Sequence, residues 1–165
     1  MTKNFKAAVL FKQKTKLKIC NLKMPKKISP NQVLVKLFYS GICGSQLGEI
    51  DGIKGPDRFL PHLLGHEGTG EILKLGKNVR KFKHGDQVML HWMKGIGRDS
   101  NTPKYFYKKN ININAGWITT FNSHAIVSEN RITKIPKEVN LKDGVAYGCA
   151  LTTAYGVIKN DARIN

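Results

Sequence analysis

The 165-residue chain is short of acidic residues, short of cysteine, and without a long apolar run. Eleven Asp and Glu face 28 Lys and Arg, a formal charge of +17. That imbalance raises nucleic acid or an anionic surface as a partner. The placement argues against it. Lys dominates and is spread along "FKQKTKLK", "MPKKI", "KNVRKFKH" and "YFYKKN", and scattered Lys reads base edges poorly. Three cysteines, Cys20, Cys43 and Cys149, exclude a disulfide framework. The N-terminal apolar run "AAVLF" is too short for a secretion signal or a membrane span. The chain therefore reads as soluble and cytoplasmic, with no membrane partner.

What is present suits one packed domain, since 41% of residues are hydrophobic. Short strand signals recur at 6–11, 17–22, 32–39, 70–76, 85–92, 119–127 and 130–136, separated by turn residues. Close spacing of short strands predicts a mainly β barrel or sandwich with short helices. Between 93 and 118 the periodicity disappears, so this stretch reads as a long excursion. From Asn140, a candidate N-cap with Asp143 three residues on, small and apolar residues predict a closely packed helix.

The chemistry-bearing residues sit beside glycine. "SGICGSQ" sets Cys43 between Gly41 and Gly44, "LLGHEGTGEI" sets His66 and Glu67 between Gly65 and Gly68, and "AYGCALTTAYG" puts Cys149 after Gly148. Taken singly, the histidine reads as a hydrogen-bonded turn residue and each cysteine as a small hydrophobe. Together, two thiols and one imidazole match the donor set of a catalytic zinc. Their wide separation in the chain is unlike a local zinc-ribbon motif.

In order, "GICGSQ", "PHLLGHEGTGEI", "GDQV" and "GCALTTAYG" resemble the zinc-dependent alcohol dehydrogenases, the medium-chain dehydrogenase/reductases, from about Lys6 to the end of the chain. The resemblance implies a GroES-like β-barrel catalytic domain over 1–165, with barrel and lobe at about 6–140. A helical segment at 141–165 would lead toward a Rossmann domain that the chain lacks. It implies one catalytic zinc on Cys43, His66 and Cys149, with Glu67 behind the metal. Ser45 would take the substrate proton, Thr153 would touch the nicotinamide, and Trp92 would wall the substrate pocket. The activity so implied is hydride transfer between an alcohol or aldehyde at the zinc and NAD or NADP. The full-length form would be a homo-oligomer.

The sequence departs from the family in four places. Gln46 replaces the aspartate that orients the zinc histidine; it can accept the imidazole N–H but adds no charge. Gly48 replaces the histidine of the proton relay. Residues 93–118 contain no cysteine, so no structural zinc is expected, and Tyr105, Phe106, Tyr107 and Trp117 become candidate anchors of that lobe. No G-x-G-x-x-G appears, so the chain reads as a fragment, inactive alone, whose nicotinamide site lies elsewhere. Two alternatives stand beside this reading. One is a zinc-free quinone-reductase-like member, disfavoured by the retained ligand set. The other is a non-catalytic basic β-barrel that binds nucleic acid or a protein partner.

Overall fold

Alternation of apolar and polar side chains sets the first strand, β1 (Asn4–Leu10), which buries Phe5, Ala7 and Val9 and turns Asn4 and Lys6 to solvent. A computed structural model describes residues 4–108 and 111–163. β2 (Lys18–Lys23) lies antiparallel to β1, with Ala7 opposite Cys20, and buries Cys20 and Leu22 on the same side. β4 (His62–Leu63), β7 (Lys104–Tyr107) and β8 (Ile111–Asn114) complete a closed barrel in the order β1-β2-β7-β8-β4. Its centre is Tyr105, fully buried, edge-on to Phe5 with ring centroids 4.8 Å apart. The Tyr105 hydroxyl accepts the Ile126 N–H at 2.9 Å, and burial pushes its phenol well above the ordinary value.

A second, five-stranded sheet runs β10-β6-β5-β3-β9. Its members are β3 (Gln32–Ser40), β5 (Gly68–Leu75), β6 (Gln87–Leu90), β9 (His124–Ser128) and β10 (Ile132–Lys134). Val33, Val35, Ile72, Val88, Leu90 and Val127 form its core. β3 pairs with β5 through two register shifts, and at Gly70 a Cβ would come within 2.2 Å of the Lys36 carbonyl. The close approach explains the glycine. Among the described residues no helix is long and apolar enough to cross a membrane.

Two sequence expectations are corrected. The 93–118 stretch is not one irregular excursion, because β7 and β8 form an antiparallel hairpin within the barrel. Four-residue strands amid Lys and Asn are too short for a period of two to stand out. Residues 109 and 110 lie outside the described residues. Of the four candidate anchors, Tyr105 is the buried one, whereas Trp117 is exposed beneath the Arg131 guanidinium. The first part of the stretch is tied down by a buried carboxylate instead: Glu129 accepts the Arg98 N–H at 3.1 Å and the Arg80 N–H at 3.4 Å.

The second correction concerns the segment after Asn140. Asn140 does cap, accepting the Lys142 N–H at 2.7 Å, but the helix is one turn, α2 (Leu141–Gly144). A 3-10 turn (Val145–Gly148), α3 (Ala150–Gly156) and a π-helical turn (Val157–Asp161) follow. The closely packed helix is not found. α3 buries no residue, and Leu151, Tyr155, Val157 and Ile158 face outward. Apolar composition predicted burial, and no other part of the described chain covers that face.

Candidate metal centre

Three separate turns deliver the donor atoms. Cys43 follows β3 and caps the first helix, α1 (Gly44–Asp51), in an extended conformation, with its N–H on Gln46 Oε1 at 2.9 Å. His66 lies between β4 and β5, where Gly65 adopts φ +90° and a Cβ would collide with Thr120 and Phe121. Cys149 begins α3 after Gly148, whose missing side chain leaves room for Leu90 O and the Glu67 side chain.

The thiols of Cys43 and Cys149 and a ring nitrogen of His66 all lie within 4.8 Å of one another, each half-buried. His66 Nε2 is buried and has no hydrogen-bond partner. A buried, unpaired imidazole nitrogen beside two thiols is an unmet demand that a soft divalent cation satisfies. The residues therefore fit a zinc held by two cysteines and one histidine, with a fourth position for another ligand. Without metal the two thiols differ. Hydrogen bonds from the Ser45 N–H and hydroxyl hold Cys43 below its ordinary value, whereas burial first, and then the neighbouring Cys43 and Glu67, push Cys149 up.

Gln46 is arranged otherwise than the sequence suggested. Its oxygen is committed to the Cys43 N–H, and its amide nitrogen lies 3.0 Å from Ser45 Oγ and 2.6 Å from His66 Nδ1. An amide nitrogen only donates, so Nδ1 accepts in this pair and the neutral ring carries its proton on Nε2. To offer Nε2 to a metal, the proton must move to Nδ1 and the Gln46 amide must turn its oxygen toward it. The Cys43 N–H would otherwise be left unpaired, which explains the preference.

Glu67 is buried, not a solvated strand-edge carboxylate. Its Oε2 accepts the Ala150 N–H at 3.3 Å, and its side chain fills the space that a Cβ on Gly41 or Gly148 would need. It thus braces the two cysteine-bearing segments against each other. Thr153, one turn along α3, has its hydroxyl 3.9 Å from Cys149 Sγ. Ser45 is half-buried beside Cys43. Trp92 stands apart: it is 46% exposed and lines neither cleft described here.

Two clefts lie beside the segments that carry the donor residues. One, of about 510 Å³, is bounded by Gly41, Glu67, Tyr147 and Ala150. The other, of about 770 Å³, has His66 and Gln46 in its wall and reaches the segment 54–59. There His62 Nε2 lies 2.6 Å from Asp57 Oδ2. Sequence reasoning missed this cleft. The available signal was "KGPDRFLPH", a charged stretch dense in turn residues just before the histidine motif.

Residues 29–137 match the alcohol dehydrogenase GroES-like domain family. Among curated proteins, an S-(hydroxymethyl)glutathione dehydrogenase of Photobacterium damsela subsp. piscicida is 26% identical, over 96% of this chain and 49% of its own length. A benzyl alcohol dehydrogenase of Acinetobacter calcoaceticus superposes with a TM-score of 0.78 at 26% identity, covering 96% of this chain and 48% of that one. An alcohol dehydrogenase zinc-binding domain protein of Burkholderia ambifaria gives a TM-score of 0.85 at 22% identity over 98% and 50%, a likeness of fold. The chain spans about half the length of the curated relatives it matches.

Proposed function

The chain belongs to the zinc alcohol dehydrogenase family, as its GroES-like domain, and from that premise we propose that it is the metal-holding catalytic part of an alcohol or aldehyde oxidoreductase. The observation that carries the reading is the convergence of Cys43, His66 and Cys149 within 4.8 Å. A bound zinc would polarise an alcohol so that its proton leaves near neutral pH and hydride can pass to a nicotinamide.

The protein's own residues divide the remaining work. Cys43, His66 and Cys149 hold the ion, and Glu67 keeps the two cysteine segments in register behind it. The Ser45 hydroxyl, beside Cys43 and 3.0 Å from the Gln46 amide nitrogen, would take up a substrate proton and pass it to solvent. Thr153, its hydroxyl 3.9 Å from Cys149 Sγ, would touch the nicotinamide. The nicotinamide itself would be held by a nucleotide-binding unit outside these residues. Residues 6–140 would then serve as barrel and lobe, and 141–165 would lead toward that unit. A zinc-free quinone-reductase-like role is the weaker reading, because such chemistry has no need of two thiols around a buried imidazole.

Cobalt substitution tests the proposal. One equivalent of Co²⁺ should be retained with a thiolate-to-metal charge-transfer band, and Cys43→Ser or Cys149→Ser should abolish both. Retention of no metal, or an unchanged band in both variants, would overturn it.

A further inference from the structure

The larger cleft has an outer lip built with more care than a surface loop needs. Gln13 Nε2 donates to Gly55 O at 2.9 Å, and Gln13 Oε1 accepts the Asp57 N–H at 3.2 Å. Asp57 Oδ1 accepts the Phe59 N–H at 2.8 Å, and Asn114 Nδ2 donates to Phe59 O at 2.6 Å. With the contact of His62 Nε2 to Asp57 Oδ2, these bonds hold 54–59 in one shape and satisfy both oxygens of the Asp57 carboxylate. Lys54 and Arg58, both exposed and both lining the cleft, have no ion pair or hydrogen bond among the described residues. Phe59 and Trp117, 65% and 60% exposed, offer aromatic faces along the same walls. The other carboxylate of the lining is Glu49.

A fixed lip with two idle cations, aromatic walls, and the candidate metal histidine in its wall describes an elongated ligand. We propose that this cleft takes an alcohol or aldehyde whose far end carries a carboxylate, bound by Lys54 and Arg58, with its apolar body against Phe59 and Trp117. The inference rests on the reading above and narrows its substrate class. Arg supplies a planar fork for a carboxylate and Lys a point charge, while Glu49 works against the attraction and Asp57 is turned onto His62 and the Phe59 N–H.

The test compares two probes that share a carbinol, 4-(hydroxymethyl)benzoate and 4-methylbenzyl alcohol. Each is titrated into the full isotope-labelled chain at low salt, and the amide shifts of 54–59 are followed. The carboxylate should bind about fivefold more tightly, an ordinary return for partly exposed charge pairing. Lys54→Gln combined with Arg58→Gln should erase the preference, Arg58→Glu should reverse it, and Glu49→Gln should strengthen it. About 1 M salt, where the Debye length is ~3 Å, should also remove it. Equal binding of both probes, or a preference surviving the double variant, would overturn the inference. The amide readout needs no metal, so loss of the cobalt band would sink the functional reading alone. A normal cobalt band without carboxylate preference would sink this inference alone.

Discussion

The barrel core and the metal centre treat their buried polar groups in opposite ways. Inside the barrel the Tyr105 hydroxyl meets the Ile126 N–H at 2.9 Å, and the ring packs on Phe5. At the centre, His66 Nε2 is buried without a partner, and the Gln46 amide nitrogen is pressed to 2.6 Å from Nδ1. The two thiols there are pushed in opposite directions. The barrel settles its polar group within the chain, whereas the centre leaves demands that only something from outside can meet. Local inconsistency of that kind is expected where a site has been kept for function at some cost in stability.

The largest effect is expected at Gln46. In the isosteric Gln46→Glu variant, one carboxylate can accept the Cys43 N–H, the Ser45 hydroxyl and an imidazole Nδ1–H together. A ring protonated at Nδ1 frees Nε2 as a metal donor, and the added negative charge strengthens it. Zinc affinity should rise by about tenfold or more, measured by competition with a chelating indicator. The barrel should not notice, so the urea midpoint of the metal-free protein should stay near that of the parent. Unchanged or weakened zinc binding would break the comparison at the centre.

The converse change is Tyr105→Phe. Removing the hydroxyl leaves the Ile126 N–H buried and unpaired, a loss of about 1–3 kcal/mol that denaturant unfolding would read. Zinc affinity should be unaffected. A variant as stable as the parent, or one with altered metal binding, would show that barrel and centre are not separable.

The same contrast explains which parts were legible in the sequence. β1 and β2 follow from alternation, with inward rows such as Phe5, Ala7 and Val9, whereas β3 and β5, buried over consecutive residues, were legible as short apolar runs bounded by turn residues. The ligands were legible as types, since Gly41, Gly65 and Gly148, ahead of Cys43, His66 and Cys149, mark places where neighbouring groups come close. Their convergence was not, because three turns remote in sequence meet only after the strands between them have paired. α1 was missed because two glycines interrupt "GSQLGEID"; it forms through the Gln46–Cys43 contact and stops where Gly52 turns left-handed at φ +72°. α3 misled in the other direction, its apolar side chains pointing to solvent. The cleft lip was invisible as a lip, since Gln13 and 54–59 are linked only through side-chain-to-backbone bonds across the barrel mouth.

The smallest expected effect lies in neither region, at the ion pair between Asp86, just before β6, and Lys134 at the end of β10. Burial works to raise the Asp86 carboxyl, but the Lys134 ammonium at 2.7 Å and the Lys83 N–H at 3.0 Å outweigh it, so its pKa lies below 3.8. A carboxyl depressed in the folded state adds stability that is complete above its unfolded value. That contribution drains away as pH falls through the lower folded value. Lys134→Met should therefore cost under about 1 kcal/mol near neutral pH, because the lysine is 56% exposed and screened. Below about pH 4 the gap between variant and parent should close, since both then approach a protonated Asp86. Thermal melts across that range read the gap directly. A difference that is flat in pH would mean the Lys134 stem contributes by packing and its charge contributes nothing. A change in zinc affinity would mean that charge outside the centre reaches the metal, which the place of Asp86 at the opposite end of β6 from Leu90, the residue packed on Gly148, argues it does not.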